Sequence, residues 1–226
     1  MAPLLMEGGV EGLAVSSDGS ALYAAGLIGE GAGRIVEFSR DPASGLLSAG
    51  SGPGDCVSDA LSPPLGCAKV TLTGAQLSLS ASGDTLYAAS GPELAVAALS
   101  RDPSTGALSE APAPAGCLEF TSFPMRGCSF APRWSGDLPH TVPSRSNGLL
   151  VSALENQDDA GTVVEVTRSP AHGALAVSDL RACAAGTCRR LRGTNGELPG
   201  ALAASPDGRS VYVADAGGIA QLRIPP

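Results

Sequence analysis

A signature of about ten residues returns at nearly constant intervals along this 226-residue chain. Ser17-Asp18-Gly19-Ser20-Ala21-Leu22-Tyr23-Ala24-Ala25 is echoed by Ser82-Gly83-Asp84-Thr85-Leu86-Tyr87-Ala88-Ala89, and again by Ser205-Pro206-Asp207-Gly208-Arg209-Ser210-Val211-Tyr212-Val213-Ala214. A weaker copy, Ser146-Asn147-Gly148-Leu149-Leu150-Val151-Ser152, puts Leu150 where the others have tyrosine. The intervals are 64 (23 to 87), 63 (87 to 150) and 62 (150 to 212), and the three tyrosines of the chain all occupy this one position. A second block follows each signature: Ile35 to Pro42, Val96 to Pro103, Val163 to Pro170, and a last copy from Ile219 to the chain's end. After the first three blocks comes a glycine-led segment, Gly45 to Ser48, Gly106 to Ser109 and Gly173 to Ala176.

These segments are short, alternate imperfectly and are bounded by Asp-Gly, Asn-Gly, Asp-Pro and Gly signals, which is how antiparallel strands joined by tight turns read. The thirty glycines and eighteen prolines agree, since both residues disfavour helix. With the first copy as template, each repeat holds strands A (Leu13 to Ser16), B (Leu22 to Ala25), C (Ile35 to Ser39) and D (Leu46 to Ser48). A four-stranded unit repeated at fixed period is a β-propeller blade. The reading is all-β: one β-propeller domain over 1–226, with repeats at about 8–70, 71–132, 133–194 and 195–226. The last repeat stops after strand C, so residues 1–7, Met1 to Glu7, are expected to supply its fourth strand and close a four-bladed ring. A fragment of a larger ring is the alternative. The same seven residues show neither the basic start nor the apolar run of a secretory signal, consistent with a leader removed or with a fragment.

Ser205 to Ala214, together with the Ser-Arg-Asp-Pro-x-[Ser/Thr]-Gly pattern after strand C, resembles the repeats of YVTN-type and lactonase-like β-propellers. The resemblance spans nearly the whole chain and implies the blade. It allows a lactonase-like hydrolase, with no catalytic position carried over.

The six cysteines follow the repeat as Cys56/Cys67, Cys117/Cys128 and Cys183/Cys188, one pair in each connection from strand D to the next strand A. An even count at recurrent positions reads as three local disulfides, with buried free thiols as the alternative. Paired C-x-x-C metal spacing is absent. Disulfides place the protein outside the cytosol, extracellular, periplasmic or at the cell surface. In an up-and-down blade the D–A and B–C connections emerge at one end, and the long variable segments all lie there, where propeller loops carry recognition.

Two of these loops hold candidate sites. Phe120, Phe123, Phe130 and Trp134 crowd the connection after Cys117, forming either a patch for a protein or carbohydrate ligand or a satellite core under the Cys117/Cys128 bridge. Glu155, Asp158 and Asp159 cluster between strands B and C of the third repeat; they suit Ca²⁺ by oxygen chemistry, although the spacing is that of a solvated hairpin tip. Of the two histidines, His172 falls in a C–D turn, whereas His140 opens an inner strand where it faces the axis as a general base would, or serves as a structural histidine. Fourteen basic against twenty-two acidic residues give a net charge of −8, which argues against nucleic acid and anionic membrane surfaces as partners. Arg189, Arg190 and Arg192 are one basic spot in this acidic chain, read as a solvated loop. Membrane insertion is not expected, since no apolar run approaches the length of a spanning helix. The expected function is a secreted or surface-exposed binding module without catalysis or cofactor. The alternatives are the hydrolase and a structural subunit of a surface assembly.

Overall fold

A computed structural model describes residues 9–28, 32–50, 54–61, 63–64, 66–91, 93–120, 127–131, 134–135, 140–145, 147–155, 160–169, 171, 173–179, 201–215 and 218–224. These residues form strands and turns without a helix, arranged in four successive sheets. The first sheet takes β1 (Val10–Val15), β2 (Ala21–Ile28), β3 (Ala32–Arg40), β4 (Leu47–Ala49), β5 (Cys56–Ser58) and β6 (Ala68–Lys69). The second repeats it with β7 (Gln76–Leu79), β8 (Thr85–Ser90), β9 (Ala95–Arg101), β10 (Leu108–Glu110), β11 (Cys117–Glu119) and β12 (Ser129–Phe130). The third holds β13 (Trp134–Ser135), β14 (Thr141–Pro143), β15 (Leu149–Glu155), β16 (Ala160–Arg168) and β17 (Leu175–Asp179). In the fourth, β18 (Ala201–Ala204), β19 (Ser210–Asp215) and β20 (Gly218–Arg223) are described.

Strands A, B and C fall where the repeat puts them, but the fourth strand differs from expectation. It comes in two pieces on one edge of strand C: β4 pairs with Phe38 to Arg40, and β5 pairs with Arg34 to Val36. Just before β5 the Asp55 carbonyl accepts a hydrogen bond from the Glu37 amide at 2.8 Å, so the two pieces act as one interrupted strand along β3. A parallel edge strand then extends the sheet, β6 on β5 and β12 on β11, each tied down by its own disulfide, Cys56–Cys67 or Cys117–Cys128. Cys183 and Cys188 lie outside the described residues, as do the Met1 to Glu7 segment and the basic spot at Arg189 to Arg192.

The turns explain the repeated Asp and Gly. At the A–B turn the Ser16 hydroxyl donates to Asp18 at 2.5 Å, Asp18 accepts from the Ser20 amide at 3.0 Å, and Gly19 sits at φ +71°. Ser205 and Asp207 repeat the arrangement at 2.5 Å with Gly208 at φ +65°. These bonds stabilise the charged carboxylate, holding Asp18 well below the usual carboxylate range and lowering Asp207 as well.

The core lies between sheets. Tyr23, Ala25, Ile35 and Val57 of the first sheet pack on Leu86, Leu99 and Leu108 of the second. Tyr87, Val96 and Phe120 pack on Leu149, Val151, Val164 and Val166 of the third, and Leu150 and Val163 on Val211 and Val213 of the fourth. The inner strands β1, β7, β14 and β18 stand side by side in chain order.

Candidate functional site

Where the B–C turns and D–A connections of the first two sheets meet, they enclose a cavity of about 660 Å³ that His140 reaches from the third sheet. Its floor depends on glycine. A Cβ on Gly33 would lie 1.8 Å from Thr73 Oγ1, and one on Gly12 would lie 1.7 Å from the Ala75 carbonyl oxygen, so any side chain at either position would force the sheets apart.

Asp59 pins the two sheets together at the cavity wall. It accepts from the Gly33 amide at 2.7 Å, from the Thr73 amide at 3.1 Å and from the Thr73 hydroxyl at 3.0 Å. Four hydrogen-bond capacities of one carboxylate are thus largely engaged, which fixes Asp59 as a positioning group. On the opposite wall the Ser90 hydroxyl donates to Glu93, and Glu11 adds a further carboxylate.

Arg34 brings the cation. Its Nε is shielded from solvent and, among the described residues, has no hydrogen-bond partner. The rest of the guanidinium lines the cavity as its positive charge. His140 brings the titrating group. Its backbone carbonyl accepts from the Ser152 amide at 3.1 Å, which anchors the residue to β15, while its imidazole lines the cavity. Burial pushes the imidazole below its ordinary value of 6.5, so at neutral pH it is uncharged and free to accept a proton. A neutral imidazole, a guanidinium and fixed carboxylates around a walled space suit a carbonyl compound bearing hydroxyl groups.

Of the residues singled out in the sequence, His140 is in this cavity. Arg34, Asp59, Thr73, Glu93 and Glu11 escaped notice; Asp59 lies three residues past Cys56, in a segment read only for its disulfide. Of the aromatic group, Phe120 is fully buried between the second and third sheets, and Phe130 is 55% exposed. Phe123 lies outside the described residues, and of Trp134 only the backbone is described, pairing with Glu155. Asp158, Asp159, His172 and the Glu155 side chain also lie outside them. Among the described residues no group of three or more His, Cys, Asp or Glu side chains is arranged to hold a metal ion.

No protein-family model and no curated protein matches the chain. Solved structures do. The periplasmic gluconolactonase of Pseudomonas aeruginosa superposes with a TM-score of 0.52 at 22% identity, over 94% of this chain and 56% of its own. A Bacteroides uniformis protein described as a candidate 6-phosphogluconolactonase gives 0.55 at 15% identity, over 94% and 55%. The Dos1 propeller gives 0.54 at 10% identity, over 96% and 41%. The chain therefore spans about half the length of these neighbours. At these identities the likeness is one of architecture: this chain has the β-propeller fold, similar to that of lactonase-like propeller proteins.

Proposed function

We propose that the chain is a hydrolase of cyclic esters, of the sugar-lactone class, acting in the His140 cavity. The observation that carries this reading is the meeting of a neutral imidazole with the Arg34 guanidinium around one walled space on the loop face. The likeness in fold to gluconolactonase propellers points the same way. In the proposed step His140 takes a proton from water as the hydroxyl oxygen bonds to the lactone carbonyl carbon. Arg34 donates to the carbonyl oxygen as negative charge builds there. The ring C–O bond then breaks, and the imidazolium returns its proton to the departing alkoxide, so one water is added and an open hydroxy acid leaves.

The test is hydrolysis of a panel of sugar lactones, corrected for spontaneous opening. Removing a general base lowers rate by about 10²- to 10⁴-fold, and His140→Ala should do so. Because only neutral imidazole accepts the proton, the rate should rise with pH through a value below 6.5 and level off before neutrality. A rate that His140→Ala leaves intact, or a panel that is not turned over, would sink the assignment.

A binding module at the same face remains the second reading, favoured by the half-exposed Phe130 on the edge strand that Cys117–Cys128 ties down. For either activity we place the protein in an oxidising compartment, periplasmic or extracellular, on the support of its two disulfides and of a periplasmic neighbour.

A further inference from the structure

Two cystines hold the same place in successive sheets and serve different residues. Cys56 pairs with Val36 and Cys117 with Ala97, each at the start of its strand, and each bridges to a cysteine 11 residues further on. Beyond each of these strands the next amide donates to strand C or the turn before it, Asp59 to the Gly33 carbonyl at 3.4 Å and Phe120 to the Leu94 carbonyl at 2.7 Å. The two side chains at this shared position part company. Phe120 is fully buried against the third sheet. Asp59 instead turns its carboxylate to the cavity wall, where it holds the Gly33 amide, the Thr73 amide and the Thr73 hydroxyl. The second bridge therefore belongs to the core and the first to the cavity.

The chain that the first bridge closes is weakly held otherwise. Val57 and Ser58 are buried in β5, and Val70 and Leu72 are buried beyond β6. Of the described residues from Asp59 to Lys69 none is buried, and Leu61 is fully exposed. The two residues of β6 pair with Val57 and Ser58, and Lys69 Nζ reaches back to the Asp59 and Ala60 carbonyls. A segment without buried apolar side chains opens locally at small cost, so the cystine is its firmest anchor. The bridge is also open to attack. Cys67 is half-buried, whereas Cys117 and Cys128 are buried together with Leu72, Ala95 and Ala97.

We infer that Cys56–Cys67 is a redox latch on the His140 cavity, opened by a dithiol reductant, and that Cys117–Cys128 is a structural bridge that stays closed under the same conditions. In the opening step a reductant thiolate bonds to Cys67 Sγ as the Sγ–Sγ bond breaks and Cys56 departs as a thiolate. The reductant's second sulfur then displaces Cys67. Two electrons and two protons have passed to the cysteines, and the reductant leaves as a disulfide. With the bridge open the segment after Ser58 frays, and Asp59 lets go of Gly33 and Thr73. The wall between the first and second sheets loosens while Val57, Val70 and Leu72 keep the core in place. The effect on the wall stands on geometry alone; an effect on turnover rests on the hydrolase reading above.

Stepwise reduction of the folded chain with dithiothreitol tests this, with thiols trapped by iodoacetamide and mapped by peptide mass, and amide hydrogen exchange followed at each step. Cys56 and Cys67 should be alkylated while Cys117 and Cys128 remain bridged. At that step the Gly33 and Thr73 amides should exchange about tenfold faster or more, as befits the loss of a hydrogen bond to a charged group, while amides of β8 and β9 stay slow. Oxidised Asp59→Ala should already exchange fast at those two amides and gain nothing on reduction. The pair Cys56→Ser with Cys67→Ser should match the reduced parent without reductant. Both bridges opening together, unchanged exchange at Gly33 and Thr73, or faster exchange throughout the molecule would each overturn the latch. Sugar-lactone hydrolysis by the oxidised chain should fall on reduction through a raised KM and return on reoxidation. Unchanged hydrolysis would overturn the latch as a control on turnover, and an oxidised chain without hydrolysis would sink the hydrolase reading while the exchange result still decides the latch.

Discussion

The first and second junctions use the same residue types and wire them differently. Between the first and second sheets, the Tyr23 hydroxyl is a relay: it accepts from Arg101 Nε and donates to the Gly106 carbonyl, with all three residues out of solvent or nearly so. Between the second and third sheets, the Tyr87 hydroxyl donates to the Asn147 carbonyl at 2.8 Å, and Arg168 passes it by, donating to Ser100 Oγ at 2.6 Å and to Thr85 Oγ1 at 3.5 Å. Arg168 Nε, the atom equivalent to the one that meets Tyr23, is buried without a partner among the described residues. The third junction has Leu150 in place of the tyrosine, packed with Val163 on Val211 and Val213. A repeat conserves the shape of the faces it must mate, and within that shape the polar wiring is free to differ.

The comparison breaks most sharply at the arginines. Arg101 faces the buried Glu37, whose carboxyl is pushed up by burial and by neighbouring Asp55 and pulled back by this guanidinium. Arg101→Met removes the donor to the buried Tyr23 hydroxyl and the cation beside Asp18; a hydrogen bond that involves a charged group is worth about 1.5–3 kcal/mol, and the loss in urea melts should be about 3 kcal/mol. Arg168→Met, which deletes two hydrogen bonds and relieves one unmatched N–H, should lose about 1 kcal/mol. Equal losses would show that the two wirings are energetically the same.

Smaller effects follow at the hydroxyls. Tyr23→Phe strands the Arg101 Nε and the Gly106 carbonyl, for about 2 kcal/mol in the same melts; Tyr87→Phe frees only a carbonyl at the exposed Asn147, which water can satisfy, for under about 1 kcal/mol. Burial raises both phenols, Tyr87 to about 12, so neither hydroxyl ionises in the working range and the relay keeps its proton.

The mildest difference is in acid. Asp18 is held down by hydrogen bonds from the Ser16 side chain and from Ser20, far more than Asp84, where burial opposes the bonds from Ser82, Thr85 and Ser80. A carboxylate whose folded value is depressed contributes stability above its ordinary value of 3.8 and loses it as pH falls through the folded one. Melting temperatures taken below pH 4 should therefore fall more steeply for the parent chain than for Asp18→Asn, while Asp84→Asn should ease the slope by less.

Much of this could be read along the sequence. Strand positions, turn chemistry and cysteine pairing follow from a period that local propensity and spacing express directly, which is why β2, β3 and β8 lie where the tyrosine signature puts them. The interrupted fourth strand could not: Gly50 to Gly54 reads as loop, and only the alignment of β5 beneath β4 on the same neighbour reveals the continuation. The cavity was legible in one residue of six. His140 drew notice by its rarity, whereas Arg34, Asp59 and Glu93 are ordinary surface residue types until tertiary packing brings three sheet ends together. Phe120 shows the converse, an aromatic on a loop-like stretch whose side chain fills the space between two sheets.

The parallel edge strands have one more consequence. A propeller sheet ends outward in a strand with unpaired amides and carbonyls, an invitation to another molecule's strand. Here β6 and β12 occupy that position, each only two residues long and each leashed to the strand it covers by a cystine. Reduction is therefore expected to release the cover before the blade beneath it, laying the β5 and β11 edges open to a neighbouring molecule's strand.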